Sequence, residues 1–330
     1  MKKNHKLLVG DIGGTNCRLA TCDPVNGEIS EITIFPVEEL DSLEQALNTY
    51  RAAKPEHSFL QAAISIANPI TGDQIAMTNA HWDFSIERTR QNCQLDRLVM
   101  LNDWESVALS LPSLQTSDLE QINNRRGNEF GNRALCGVGT GLGAAGLVGG
   151  NNSDWLPVAG EGGHTTFSPL DQEEIKILET LRENHEHVSF ERILSGAGLV
   201  NLHQAISRNA GVKCKSKSPE EIVRQASQAN DLICVQTVEV FCRTLGNFAG
   251  NLSLTLGATG GIYIGGGVVQ RINQLGIFNK KEFLSGLTRK GRLSEWLNDI
   301  PAYLLKTPYA GLIGSAVALG LGQPKVSDNA

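Results

Sequence analysis

The chain has 330 residues, more than one ordinary compact core absorbs and a length suited to two domains. Its composition, 41% hydrophobic and 19% charged, is that of a globular protein. A net charge of −6 leaves no basic stripe to neutralise phosphates, which excludes nucleic acid as a partner. Two short basic pieces, Lys213 to Lys217 and Arg289 to Arg292, read as solvated loops that could help draw an anionic nucleotide. Seven cysteines (Cys17, Cys22, Cys93, Cys136, Cys214, Cys234 and Cys242) are odd in number and scattered, so they outline no disulfide framework. No Cys-x-x-Cys pair or Cys/His cluster points to zinc. The basic start, Met1 to Lys6, lacks the long apolar core of a leader, and the longest apolar stretch, Ala310 to Leu321, is glycine-broken and too short for a bilayer. The expectation is a cytoplasmic protein with no membrane partner.

In chain order, Leu7 to Ala20 reads as a strand, a tight turn at Gly13-Gly14-Thr15, and a second strand. Ser42 to Ala52 reads as a helix, with Ser42 as N-cap and Glu44 in its first turn. Gln61 to Ile66 and Arg97 to Leu101 read as buried strands, with a helix over Phe84 to Cys93 between them. Thr116 to Arg133 is polar and turn-rich, which places a domain boundary near residue 113. Ala134 to Leu147 then repeats the opening pattern, with Gly137-Val138-Gly139-Thr140-Gly141-Leu142-Gly143 at its turn. Both turns are expected to need positive φ and close backbone approach, which glycine supplies. Asp171 to Glu183 is a helix with an acidic first turn that suits the macrodipole. Leu199 to Ser207, Pro219 to Ser227 and Leu232 to Leu256 are further helices. Gly261 to Ile264 is a strand that ends in Gly265-Gly266-Gly267, and Gly311 to Gly320 is a small-residue helix. The matched hairpins, one opening each half, suggest a duplicated α/β architecture with a cleft between the halves.

Chemistry follows from what these residue types do at element ends. Asp11-Ile12-Gly13-Gly14-Thr15-Asn16 puts a carboxylate at a strand end, before a turn whose backbone N–H groups form an anion-binding concavity. A carboxylate beside phosphate must act through Mg²⁺ or its water shell; the alternative is a plain hairpin with a capping aspartate. Gly139-Thr140-Gly141 offers a second such turn, and glycine at that density weakens a strand unless something must come close. The spacing Gly141-x-Gly143-x-x-Gly146, with Glu161 beyond it, matches a dinucleotide fingerprint literally. That fingerprint requires a helix directly after the glycines, and Leu147-Val148-Gly149-Gly150-Asn151-Asn152 cannot start one. No Walker A sequence is present.

Leu101-Asn102-Asp103 ends a buried strand and leads into a helix. Asn or Asp there can simply cap the helix. A carboxylate at the C-terminal end of an α/β strand is also where ligands bind, and phosphoryl transfer to an alcohol needs one carboxylate to take the hydroxyl proton. Gly160-Glu161-Gly162-Gly163-His164 combines an acceptor and a donor suited to sugar hydroxyls, against the alternative of a solvated loop. Glu191, in Ser189 to Gly196, reads by default as a surface glutamate. The run at Gly265 to Gly267 lets a nucleotide base or ribose lie against bare backbone, or is a simple strand-to-helix loop. Gly246 and Gly250, four apart, fit close helix packing.

Taken in order, Asp11-x-Gly13-Gly14-Thr15-Asn16, Leu101-Asn102-Asp103, Gly137-x-Gly139-Thr140-Gly141-x-Gly143, Gly160 to His164, Glu191-Arg192-x-Leu194-Ser195-Gly196 and Gly265-Gly266-Gly267 resemble the bacterial ATP-dependent glucokinases. Pro69-Ile70-Thr71-Gly72-Asp73, Met77-Thr78-Asn79 and Gly198 to Leu202 add to the likeness, which runs from about residue 7 to about residue 320. The resemblance implies a two-domain actin-like (ribonuclease H-like) ATPase and sugar kinase fold. A small α/β domain over 1–113 is completed by a C-terminal helix at 309–330, and 114–308 form the large domain. It implies transfer of the γ-phosphoryl group of ATP to the 6-hydroxyl of glucose, a step of glycolysis, with Asp103 as base. Asn102, Asp103, Gly141, Glu161, His164 and Glu191 match the glucose positions. Asp11, Gly13, Gly14, Thr15, Asn16, Gly139, Thr140, Gly141 and Gly265 to Gly267 match the ATP positions. Mg²⁺, reached from Asp11 through water, is the implied metal, and a homodimer the implied assembly.

The related ROK proteins carry a cysteine-rich zinc motif after their Glu-x-Gly-His segment. Thr165 to Leu170 contains no cysteine, which favours the zinc-free group. With the sequence beginning at the first hairpin, a repressor's N-terminal DNA-binding domain is not expected. Asn68 stands where a small or thiol residue is expected. Kinases for mannose, fructose or an N-acetylhexosamine, and a non-catalytic sugar sensor, are the rival readings.

Overall fold

The computed structural model describes residues 4–77, 81–150, 155–213 and 216–327; Thr78, Asn79, Asn151, Asn152 and Cys214 lie outside them. The chain forms two compact units, residues 1–116 with 307–330, and residues 117–306.

In the first unit, β1 (Asn4–Ile12), β2 (Asn16–Cys22) and β3 (Glu28–Pro36) form an antiparallel meander. Then come α1 (Leu43–Ala52), β4 (His57–Ile66), the small ribbon β5 (Gln74–Ala76) and β6 (Asp83–Ser85), α2 (Ile86–Asn92), β7 (Arg97–Asn102) and α3 (Asp103–Ser110). β4 lies parallel to β1 and β7 parallel to β4.

The second unit repeats this plan. β8 (Leu119–Gln121) is followed by β9 (Arg133–Val138), β10 (Leu142–Val148) and β11 (Leu156–Gly160), the last three an antiparallel meander. Four helices follow: α4 (Gln172–Arg182), α5 (Gly196–Asn209), α6 (Pro219–Ser227) and α7 (Leu232–Leu256). Next are β12 (Gly261–Gly265), α8 (Gly267–Gln274), α9 (Lys280–Thr288), α10 (Ser294–Asn298) and β13 (Ala302–Leu305). The chain returns to the first unit with α11 (Ala310–Ala318) and β14 (Lys325–Val326). The sheet orders are β14-β3-β2-β1-β4-β7 and β11-β10-β9-β12-β13-β8, so each hairpin sits beside a parallel pair in the same arrangement.

Strand periodicity decides which layer covers which face. On β1, Leu8 and Ile12 join Leu43, Ala46, Leu47 and Tyr50 of α1 in one core. Leu7 and Val9 point the other way and join Leu312, Ile313 and Ala316 of α11. Asp11 shares the parity of Leu7 and Val9, so its side chain emerges on the α11 face. The helix α3 reaches α11 almost backbone to backbone: a Cβ at Gly314 would stand 1.7 Å from the Ser106 carbonyl oxygen. In the second unit one large core surrounds α7. Gly246 and Gly250 admit α9 there, since a Cβ at either would stand 1.9 Å from the Phe283 carbonyl oxygen or 2.5 Å from that of Leu287.

Helix limits follow their caps. Ser42, Ser85, Asp171, Ser195, Ser218 and Asp231 each accept an N–H from the first turn of α1, α2, α4, α5, α6 and α7. Several expectations are corrected. The helix expected over Phe84 to Cys93 begins at Ile86, because Asp83–Ser85 pairs with β5. The helix expected to fill 309–330 stops at Ala318; Gly320 takes φ +97 and the chain then adds β14 to the sheet. The turn-rich segment 116–133 contains β8, which pairs with β13. The basic pieces are not simply solvated either: Lys217 pairs with Asp231 at 3.0 Å and Arg289 with Asp171 at 3.5 Å. Finally, none of Gly13, Gly14, Gly139 and Gly141 adopts positive φ. Three-residue turns, 13–15 and 139–141, reverse the chain without it.

Candidate active site

In the first unit the site residues gather at the C-terminal ends of the parallel strands, where register aligns Asp11 with Ser65 and Ile66 with Asn102. The Asp11 carboxylate accepts a hydrogen bond from Ser65 Oγ at 3.0 Å and faces Arg18 at 3.5 Å. Burial nevertheless raises its pKa, against the opposing pull of Arg18 and Ser65. A Cβ at Gly311 would stand 2.7 Å from Asp11 Cγ, so α11 passes directly over this carboxylate. Buried hydroxyls tie the surrounding layers together: Ser315 Oγ donates to Gly10 O at 3.0 Å and Ser106 Oγ to Gly311 O at 2.8 Å. The turn after β1 closes with Gly13 N–H donating to Asn16 O at 3.0 Å. Gly14 and Thr15 are exposed, and their N–H groups donate to no described residue.

Of the pair Asn102-Asp103, the cap role falls to Asn102. Asn102 is the N-cap of α3: its Oδ1 accepts from Trp104 N and Glu105 N, and Glu105 answers in a capping box. Its Nδ2 lies 3.4 Å from Asn68 O, so the amide retains donor capacity only. Asp103 is the first helical residue, with Oδ1 accepting from Trp104 N at 2.9 Å. Burial, with repulsion from Asp11, pushes its pKa up to about 6 despite that N–H. A partly desolvated carboxylate that titrates near neutrality is suited to proton acceptance.

In the second unit three segments converge on Leu142. Its N–H donates to Glu191 Oε2 at 2.9 Å, so Glu191 is no surface glutamate. A Cβ at Gly163 would stand 2.0 Å from Leu142 O, so the glycine pair seats the turn of Glu161 to His164 against the same residue. The side chains of Glu161 and His164 are exposed and bond to no described residue. A Cβ at Gly141 would stand 2.5 Å from Glu191 Oε2, while at Gly139 it would meet nothing. The turn closes with Gly139 N–H donating to Gly141 O at 2.9 Å, leaving the N–H groups of Thr140 and Gly141 without described acceptors. Gly265 pairs with Gly137, and Gly266, at φ +93, would carry a Cβ 2.2 Å from Val138 O. Packing thus demands glycine at 266, whereas Gly267 is open and begins α8 with no side-chain cap. The strand β10 follows Gly141 directly, which removes the dinucleotide fingerprint.

Outside these sites, the six described cysteines are buried and free. Burial raises the thiols of Cys17, Cys136 and Cys242 to about 12, which keeps them protonated and inert. His203, Asp231 and Cys234 approach one another on α5 and at the start of α7, but Lys217 Nζ lies 3.0 Å from Asp231 and 3.3 Å from His203 Nε2, where a cation would sit. Among the described residues no helix is long and apolar enough to cross a membrane.

Ser65, Arg18, Gly311 and Ser315 were not singled out from sequence. Ser65 alone left a signal, a polar residue within the apolar run of β4.

A twice-repeated sheet of this order, each with a glycine turn inside its hairpin, is the actin-like two-domain fold found in sugar kinases. The glucokinase family model matches residues 8–321. A glucokinase of Neisseria meningitidis serogroup C / serotype 2a is 40% identical over 315 residues, 96% of this chain and 95% of its own. One from Chromobacterium violaceum is 42% identical over 312 residues, 94% of this chain and 88% of its own. The crystal structure of glucokinase from an Antarctic psychrotroph superposes with a TM-score of 0.87 at 32% identity, covering 96% of this chain and 98% of that one. The chain belongs to the glucokinase family.

Proposed function

We propose that the protein transfers the γ-phosphoryl group of ATP to the 6-hydroxyl of D-glucose, giving glucose 6-phosphate and ADP, with Asp103 as general base. The observation that carries this reading is the Asp103 carboxylate, raised to about 6, at the C-terminal end of β7 and in the field of Asp11. At neutral pH it is ionised yet retains more proton affinity than an ordinary aspartate, so it can hydrogen-bond the sugar hydroxyl and take its proton. The Asn102 cap fixes its backbone, and Trp104 N–H orients one oxygen.

In the first unit Asn102 offers glucose a donor; in the second, Gly141, Glu161, His164 and Glu191 are the candidate glucose contacts. The free N–H groups of Gly14 and Thr15, and those of Thr140 and Gly141, supply anion contacts for the ATP phosphates. Asn16 helps close the first of these turns, and Gly265 to Gly267 take the adenosine. Asp11 fits a divalent cation, because burial leaves its negative charge incompletely compensated by Arg18 and Ser65. Mg²⁺ carried in with ATP supplies charge neutralisation of the phosphates. The transition state for phosphoryl transfer is loose, so alignment and charge stabilisation contribute most of the acceleration.

The test is ADP release from Mg·ATP by the purified protein across a panel of hexoses. Glucose-dependent ADP formation is expected, and equal ADP release with and without every hexose would sink the proposal. A sugar sensor would bind glucose in a calorimeter and release no ADP; a kinase for another hexose would show a different preferred sugar.

A further inference from the structure

The segment that carries Glu191 is fastened to the glycine turn at both of its ends. On the far side of the turn, Leu142 N–H donates to Glu191 Oε2 at 2.9 Å. On the near side, Gly196 N–H donates to Gly139 O at 3.0 Å. The segment itself is stiffened by Ser195, whose Oγ donates to Glu191 O and accepts from Gly198 N–H, both at 2.9 Å. Gly198 must be glycine for this, since a Cβ there would stand 2.5 Å from the Ile193 carbonyl oxygen. Gly141 must be glycine for the carboxylate to approach. Only one oxygen of Glu191 is used in this way: among the described residues Oε1 accepts no hydrogen bond.

We infer that Glu191 is a positioning residue for the phosphate-binding turn as well as a sugar ligand, and that it couples the two substrate sites within the second unit. One carboxylate then serves two partners. Oε2 holds the turn in the conformation that presents the Thr140 and Gly141 N–H groups, and Oε1 is left for a sugar hydroxyl. A hydroxyl bound at Oε1 orders the carboxylate, and with it the turn, so sugar and nucleotide each raise the other's affinity by the same factor. The inference rests on the reading of Glu191 as a glucose contact and of the turn as a phosphate contact.

The test separates the two roles by measuring nucleotide affinity with no sugar present, where a residue that only bound sugar would have no effect. Calorimetric titration with Mg·AMPPNP, a non-hydrolysable ATP analogue, compares the wild-type with Glu191→Gln and Glu191→Met. Gln keeps an oxygen that accepts from Leu142 N–H, whereas Met matches the length and offers no such acceptor. The expected result is a loss of roughly tenfold in nucleotide affinity for Glu191→Met, the scale of one site-to-site coupling, with Glu191→Gln within about twofold of wild-type. Glucose should tighten nucleotide binding in the wild-type and leave the Met variant unchanged. Wild-type nucleotide affinity in Glu191→Met overturns the inference, and so does an equal loss in both variants. Should the Met variant not fold, Ser195→Ala repeats the comparison: its side chain touches the Glu191 carbonyl and not the carboxylate, a severalfold loss is expected, and unchanged affinity overturns the inference. Hexose phosphorylation by the wild-type is scored separately, so a failed kinase reading is distinguishable from a failed coupling.

Discussion

Replacing Asp103 by Asn should remove activity and stabilise the protein at once. Asp11 and Asp103, both raised by burial, work against folding when ionised. For Asp103, burial and the charge of Asp11 move the pKa from 3.8 to about 6, and a rise of that size corresponds to about 3 kcal/mol. The sign follows from which form the fold prefers. A carboxyl raised in the native state favours folding when protonated; that stability is fully present below pH 3.8 and is lost as pH rises through about 6. At pH 8 the wild-type therefore carries nearly the whole penalty. An Asn side chain keeps an oxygen for Trp104 N–H and carries no charge. The shift already includes what the ionised carboxylate gains at the α3 N-terminus, so the net gain is about 3 kcal/mol at pH 8. Little of that gain should remain at pH 4. Turnover should fall by about two to four orders of magnitude. Thermal melts of both proteins at pH 8 and pH 4, together with kcat for glucose, give the answer. Wild-type turnover in the variant removes Asp103 as base. A midpoint that is no higher than wild-type at pH 8 refutes the electrostatic reasoning.

The same pKa predicts that kcat/KM falls below about pH 6 with a slope of one proton, read from initial rates across pH 5 to 8. A flat profile in that range contradicts it. Gly311→Ala would place a Cβ 2.7 Å from Asp11 Cγ and force that carboxylate aside; kcat should drop roughly 100-fold, the scale of a misplacement near one ångström, while the far-UV circular dichroism stays native. Arg243 lies among four carboxylates, 3.0 Å from the fully buried Glu174, 3.2 Å from Glu282 and 3.5 Å from Asp171, with Glu173 the fourth. Arg243→Met should cost about 3–5 kcal/mol by leaving Glu174 buried without its cation, and chemical denaturation should register that loss.

Much of the scaffold was legible because its signals are local. Ser218 followed by Pro219 marks the start of α6, and Asp231 the start of α7, from residues adjacent in sequence. The two hairpins declared themselves by apolar runs on either side of a glycine turn. The sequence left Asn102-Asp103 balanced between cap and site, since both roles select the same residue types; the hydrogen bonds of Asn102 Oδ1 assign the cap. What could not be read is the support beneath the site. Ser315 reaches Gly10 across 305 residues, Ser106 reaches Gly311 across 205, and Glu191 reaches Leu142 across 49. Each is a small or polar residue whose neighbours give no hint of its partner. The expectation of positive φ in the turns failed for a related reason. At Gly141 the glycine answers to the Glu191 carboxylate that lies beside it, and not to the backbone's own torsion.

The first unit is built from two stretches of chain with the whole second unit interposed between them. A ribosome therefore finishes the second unit before it delivers α11, which brings Leu312, Ile313 and Ala316 to a core awaiting them since β1 emerged. Until then Asp11 lacks its Gly311 neighbour and Gly10 its Ser315 hydroxyl. During translation a nascent chain that stalls just after residue 306 would hold a complete second unit and an unfinished acid pocket, so that pocket is complete only with the last stretch synthesised.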